Sequence, residues 1–252
     1  MQVMIGSTSL LGYELDTRPQ EMGFTTLDTL VQRCPECGYC ASNLDESSNN
    51  ATRVISTAEY KTQLHNPVFC KLAKSFFCKA IIDEANNDLS AATWSLIHVA
   101  WACDDEGQAE QASECRRKAA AMFKRAELAG QEVAKQDGVN LVILADLLRR
   151  SGQMGEVIAI VKRKISRVGK KRIRRLLEFE MKLAQGGDRS YFTVDEALGK
   201  KAILSGIVVA TYDKNGRDII RKGCRKTIKS IFPSIVDILA CDKKGKVVYS
   251  FK

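Results

Sequence analysis

The fold is decided by two stretches that repeat each other, VAWACDDEGQ at residues 99–108 and LADLLRRSGQ at residues 144–153. In each copy a helical run of small and aliphatic residues stops at a glycine, Gly107 or Gly152, and a second amphipathic helix follows. One such hairpin cannot bury its apolar face and must stack on a neighbour. The sequence therefore predicts two consecutive helical hairpins over residues 94–167, stacked as in a tetratricopeptide-like array.

More helices are predicted on both sides of these hairpins. Asn66 suits an N-cap and Pro67 the first helical position, which predicts a helix from there to about Asn86. The pattern of residues 171–184 predicts the last helix. The polar stretch 42–57 is typical of a linker or an exposed loop. We therefore expect a mainly α fold, with a tetratricopeptide-like helical domain at residues 58–197.

The N-terminal residues 1–57 are rich in loops and contain a CPxCG motif. Cys34 and Cys37 are spaced so that both thiolates can bind one tetrahedral ion, as in a zinc knuckle. A structural zinc site needs four ligands, and Cys40 is the candidate for a third, with His65 as an outside candidate. Two interpretations stay open: zinc bound by Cys34, Cys37 and Cys40 in an incomplete site, or a half-site with free thiols.

Three motifs together resemble a known family. They are LDTRPQEM at residues 15–22, CPECGY at 34–39 and LADLLRRSG at 144–152. They resemble an uncharacterised bacterial domain-of-unknown-function family (DUF2225-like), in which DLDTRPPEM and CPxCGY precede a tetratricopeptide-like helical region. This chain has Glu14 for the first Asp and Gln20 for the second Pro, and it lacks the earlier CPxCG that the family pattern usually contains. The resemblance covers roughly residues 5–197 and implies a fold but no activity.

The last part of the chain, residues 198–252, has a different pattern. A β-branched run at 203–210, a helical pattern at 219–232 and two further strand patterns at 235–240 and 246–251 predict a small α/β (β-α-β-β) unit. The sequence thus predicts three parts: a knuckle-like loop region (1–57, interpretable as a truncated zinc ribbon), the helical domain (58–197) and this basic unit (198–252).

Positive charge is concentrated in two places. The chain has a formal net charge of +9, and residues 198–252 contain thirteen Lys or Arg against four Asp, which accounts for the whole excess. A second basic run occupies residues 162–175 without any acid. If the basic residues near it line a groove of the hairpins, they would bind an acidic peptide or a C-terminal carboxylate through charge-assisted hydrogen bonds; otherwise they form a solvated outer face. The candidate binding residues are Arg149, Arg150, Lys162, Arg163, Lys164, Arg167, Lys171 and Arg174.

These patterns favour a non-catalytic protein-binding scaffold with a protein or peptide partner. The chain has two histidines, and no motif combines a nucleophile, a base and an orienting group, so we do not expect an enzyme. A thiol-based or metal-dependent enzyme using Cys34, Cys37 and Cys40 is disfavoured because no histidine neighbours them in sequence. The alternative function is nucleic-acid (RNA) binding through the basic C-terminal unit and the run at 162–175.

The sequence gives weaker indications of where the protein is located and which cofactors it binds. No apolar run approaches the length of a membrane span, which is about 18 residues or more, so we expect no membrane partner and a cytoplasmic location. The cysteines outside residues 34–40 are scattered through apolar segments, as is typical of reduced core residues. Apart from zinc, no cofactor is expected.

Overall fold

The computed structural model describes residues 12–19, 26–45, 50–136, 138–199, 238–241 and 247–251. This part of the chain is mainly helical, as predicted. The chain divides into two units, Met1–Lys200 and Lys201–Lys252. The strand predicted at 203–210 and the helix predicted at 219–232 lie outside the described residues, and the three-part division stays a prediction. Among the described helices, none combines the length and the hydrophobicity that a membrane span requires.

The first unit begins with short elements. A 3-10 turn at Thr26–Leu30 precedes β1 (Gln32–Arg33), which pairs antiparallel with β2 (Cys40–Ala41). Helices α1 (Ala51–Ile55) and α2 (Ala58–Leu64) follow. The prediction of a loop over 42–57 was therefore wrong for its last third. That stretch has no glycine or proline after residue 50, and Val54 is buried in the core.

Six longer helices form the body of this unit: α3 (Lys71–Ala85), α4 (Leu89–Asp105), α5 (Ala109–Leu128), α6 (Val139–Arg150), α7 (Met154–Lys164) and α8 (Lys171–Gln185), before a short α9 (Val194–Ala197). Each of the six packs against the next, and α6 also packs against α8. The predicted start of α3 at Pro67 was wrong. Asn66 accepts a hydrogen bond from the N–H of Val68 in a turn, and Cys70 caps the helix instead through its Sγ.

The repeat is visible in burial and in how the helices end. Val99, Ala100, Leu144 and Ala145, the equivalent apolar residues of the two copies, are at most 1% exposed. Gly107 and Gly152 both have positive φ, 68° and 84°, which places them in the left-handed region that glycine adopts without steric cost. The residue after each glycine then donates its N–H to a carbonyl of the last helical turn at 2.8 Å. The predicted helical hairpins are thus α4–α5 and α6–α7.

The second unit is described only by two strands. β3 (Ile238–Cys241) and β4 (Val247–Phe251) pair antiparallel, with a register shift between Ala240 and Cys241. They overlap the two strands predicted at 235–240 and 246–251. The complete β-α-β-β arrangement stays a prediction.

Candidate functional site

An N-terminal segment, residues 13–19, lies against the helices of the first unit. Its backbone pairs with the chain that leads into α9: the N–H of Leu15 donates to the carbonyl of Phe192 at 3.1 Å, and the N–H of Val194 donates to the carbonyl of Tyr13 at 2.9 Å. The side chains of Leu15 and Asp16 are buried. The LDTRP motif is therefore an internal part of the helical unit.

Asp16 is held by side chains from α4 and α6. Its Oδ2 accepts a hydrogen bond from the indole N–H of Trp101 at 2.7 Å and one from Arg150 at 3.3 Å. Its Oδ1 accepts the backbone N–H of Arg18 at 3.1 Å, while the Arg18 guanidinium pairs with Asp105 at 2.5 Å. A buried carboxylate is tolerated when charge and hydrogen bonds compensate its lost hydration, and Asp16 has both.

Arg150 is the centre of this buried charge network. Its guanidinium also contacts Glu14 at 3.5 Å and Asp104 at 2.9 Å, and Asp104 in turn pairs with Arg116. Burial alone would lower the pKa of Arg150, but the surrounding carboxylates outweigh burial and raise it. Burial, reinforced by the charge of Asp16, raises the pKa of Glu14 to about 7. Arg150 therefore stays charged at neutral pH, whereas Glu14 titrates in the neutral range.

Arg149 has a separate set of partners and is completely buried. It donates from Nη2 to Asp146 at 2.7 Å, from Nε to Glu180 at 2.6 Å, and from Nη1 to two backbone carbonyls. Both carboxylates keep one buried oxygen without a hydrogen-bond partner, Asp146 Oδ2 and Glu180 Oε1. Burial, with the charge of Asp146, raises the pKa of Glu180 to about 8. A proton on Glu180 is thus retained at neutral pH.

Arg149 and Arg150 were predicted to line a groove that binds a partner. Arg149 is completely buried, whereas Arg150 lines a cavity of about 620 Å³ together with Asp104, Arg116 and Arg189. Both side chains are buried and pair with carboxylates of the chain itself. They fasten α6 to the N-terminal segment and to α8.

A groove runs beside the N-terminal segment. It encloses about 800 Å³ and is lined by α4, α6 and α8, by the loop before α6 and by residues 13–17. Its apolar lining includes the buried and half-buried side chains Trp94, Val139, Val142, Ile143, Ile173 and Leu176 and the exposed Tyr13. Three exposed cations, Lys135, Lys170 and Arg172, also line it, and among the described residues of its lining Glu14 is the single acid. The groove therefore presents an apolar surface beside positive charge.

The other predicted binding residues lie outside this groove. Lys162, Arg163, Arg167, Lys171 and Arg174 are exposed at the end of α7 and the start of α8. Lys164 pairs with Glu127 of α5 at 2.5 Å. The sequence did not indicate that Trp94 and Lys135 line the same groove as residues of α8. The apolar spacing of Ile173 and Leu176 was the one usable signal, and it indicates only a buried helix face.

The cysteine loop places its three thiols in different surroundings, which decides how well it fits zinc. Cys34 is half-buried and Cys37 exposed, and the N–H of Gly38 donates to the Cys34 carbonyl at 3.0 Å, which closes the turn. Hydrogen bonds from the backbone of Cys37 and Glu36 lower the pKa of the Cys34 thiol. Cys40 instead is buried, and its Sγ donates to the Gly38 carbonyl.

These contacts separate Cys40 from the other two thiols. In the part of the chain that the structure describes, no group of three or more Cys, His, Asp or Glu side chains is placed to bind a metal ion. A closed zinc site needs four ligands, and the described residues supply the two thiols of Cys34 and Cys37. Zinc binding stays a prediction that needs ligands beyond these two. All seven cysteines in the described ranges are free thiols.

Comparison with known proteins gives one match. The family model described as "Uncharacterized protein conserved in bacteria (DUF2225)" matches residues 3–181, which include the N-terminal segment, the cysteine loop and α1 to α7. No curated protein and no solved structure matches the chain.

Proposed function

The chain belongs to the DUF2225 family of bacterial proteins, and we propose that it is a non-catalytic protein-binding scaffold. In this proposal the hairpins stack like a tetratricopeptide array, and the groove holds a peptide of a partner protein. The observation that carries the proposal is the lining of the groove, where apolar side chains of α4, α6 and α8 adjoin three exposed cations. Apolar contacts supply affinity for a peptide, and the charged margin selects it.

The chain's own N-terminal segment indicates which peptide fits. In that segment one buried aliphatic residue, Leu15, stands between two acids, Glu14 and Asp16, and it lines the same groove. The acids are satisfied by Arg150, while Lys135, Lys170 and Arg172 have no ion pair with any described carboxylate. An incoming peptide that repeats this pattern, an apolar residue flanked by Asp or Glu, would complement both the apolar lining and the free cations.

The lining residues also support a binding role over catalysis. Among those that the structure describes, no side chain able to act as a nucleophile is hydrogen-bonded to a base. His98 lies between the rings of Phe76 and Trp101, and burial lowers its pKa to about 4. It is therefore neutral at physiological pH and part of a cluster of tilted aromatic rings.

The test is to select peptides from a random library against the intact protein. We expect enrichment of peptides in which an apolar residue is flanked by Asp or Glu. A variant with Lys135→Glu and Lys170→Glu should bind the selected peptides at least about tenfold more weakly, which corresponds to about 1.4 kcal/mol. The same change of charge at Lys61→Glu and Lys71→Glu, two exposed lysines of α2 and α3, should leave binding unchanged.

Two results would contradict the proposal. One is a selection that enriches no peptide family. The other is a selected peptide family that binds the Lys135/Lys170 variant as tightly as it binds the parent protein, because those peptides would lie outside the groove.

A further inference from the structure

A cluster of six cations lies where α7 ends and α8 begins, and we name it the cationic corner: Lys162, Arg163, Arg167, Lys171, Arg174 and Arg175. All six side chains are exposed. None forms a salt bridge with a carboxylate in the described ranges of the chain, and residues 157–177 contain no Asp or Glu. Lys170 and Arg172 line the groove, and Arg172 also lines a second cavity of about 420 Å³ with Lys171 and Arg175, so the corner borders the groove at the start of α8.

The helix dipole accounts for the cations at the end of α7 but not for those at the start of α8. Cations suit the end of α7, since a helix carries partial negative charge at its C-terminus. At the start of α8, a helix of fifteen residues, the same charges oppose the partial positive charge of the N-terminus. The first turn of α8 contains no acid, and its N-cap residue, Lys170, makes no side-chain capping hydrogen bond. The uncapped N–H groups and the cations together favour an anionic ligand.

We propose that the cationic corner binds the phosphate backbone of double-stranded RNA. Residues 162–175 contain no aromatic side chain on which the bases of a single strand would stack. The apolar side chains of α8, Ile173, Leu176 and Leu177, are buried in the helical unit and are not available for insertion into a lipid surface. A surface that offers charge alone fits a duplex that is recognised through phosphates and shape, and double-stranded RNA is such a duplex because side chains cannot read its deep, narrow major groove.

The surface also offers little of what a protein partner needs. Residues 162–175 contribute none of the exposed large apolar side chains of the described chain, which are Tyr13, Leu30, Val68, Leu128 and Tyr191; one of them, Leu128, adjoins the corner beside Glu127, the partner of Lys164. Tight protein–protein interfaces depend on a few buried aromatic or apolar anchors, whereas phosphate contacts do not. Binding should therefore be independent of sequence and steeply dependent on salt.

The experiment measures fluorescence anisotropy of a short, random-sequence RNA duplex with the intact protein over a series of salt concentrations. The test variant is Arg163→Gln/Arg167→Gln/Arg174→Gln. The control variant, Arg53→Gln/Lys61→Gln/Lys71→Gln, removes three exposed cations from α1 to α3 and has the same net charge. Circular dichroism would establish that both variants fold. The test variant should lose affinity, and the slope of log affinity against log salt should fall by about three, one for each lost phosphate contact. The control should keep the parental slope.

Several results would overturn the inference. If both variants lose affinity equally, or neither does, the duplex is held by net charge or by another part of the chain. Tighter binding to a single strand, or to vesicles that contain phosphatidylserine, would assign the corner to a different ligand. If the intact protein does not bind the duplex at low salt, where the electrostatic contribution is largest, the inference is wrong.

Discussion

Carboxylates of the chain itself are the main partners of Arg150, which was predicted to line a groove that binds a partner. The sequence places two arginines at the end of a helix, where cations are common on the surface. In the structure Arg150 is surrounded by Glu14, Asp16 and Asp104, of which two come from a segment more than 130 residues earlier. A sequence pattern around Arg150 cannot indicate partners so far away along the chain. The positive charge of Arg150 could therefore be predicted from the sequence, but its burial could not. Because both partners are desolvated, such pairs contribute little net stability, whereas removing one partner leaves a buried charge uncompensated and is strongly destabilising.

Glu180 yields a testable pH dependence. Its pKa rises from about 4.5 to about 8 on folding, so the folded protein retains a proton that the unfolded chain releases. The stability contributed by this proton is complete below about pH 4.5 and is lost as pH rises to about 8, at a rate of up to about 1.4 kcal/mol per pH unit. We expect denaturant unfolding to show that the parent protein loses stability relative to Glu180→Gln across this range.

Glutamine is the matched replacement, because its amide keeps the shape and mimics a protonated carboxyl at every pH. It can accept from Arg149 while donating to Asp146 Oδ2, the buried oxygen that lacks a partner. A constant stability difference between parent and variant from pH 5 to 8 would mean that Glu180 does not retain its proton.

At the scale of helices and strands, the sequence was most informative where a repeated pattern was combined with a stop signal. The hairpins were predicted because apolar spacing and the two equivalent glycines agree. Helix α1 was missed because its five residues are too few to show a period. The start of α3 was misplaced because Asn and Pro serve equally well in turns and in helix caps, and here the turn was adopted.

Two glycines of the repeat region should respond to alanine in opposite directions. Gly107 has positive φ and an added Cβ would meet no atom within 4 Å, so Gly107→Ala should destabilise the protein by about 1 kcal/mol through backbone strain alone. Gly155 lies inside α7 with the same open surroundings but no positive φ, and Gly155→Ala should stabilise by about 0.5–1 kcal/mol. Denaturant unfolding measures both, and a shift of the same sign in the two variants would contradict the assigned helix ends.

At the scale of the whole chain, helical content and family membership could be predicted, whereas the groove could not. Its lining combines Trp94, Lys135 and Ile173 with residues 13–17, four places far apart in sequence. Amphipathic periodicity shows that each helix has an apolar face. It does not show whether that face packs against another helix or borders an open groove, because both produce the same pattern. The family motifs mark the N-terminal segment and α6 without showing that they touch.

The central claim, that the groove binds a peptide, is tested most directly by photo-crosslinking. A benzophenone amino acid is placed at Gln136, an exposed lining residue of the groove, or at Arg117, an exposed residue of α5 outside it. Each protein is irradiated with the peptide selected from the library. The proposal predicts a crosslink from position 136 that excess unlabelled peptide abolishes, and none from position 117. A crosslink from position 117 alone, or from neither position despite measurable binding, would contradict the claim.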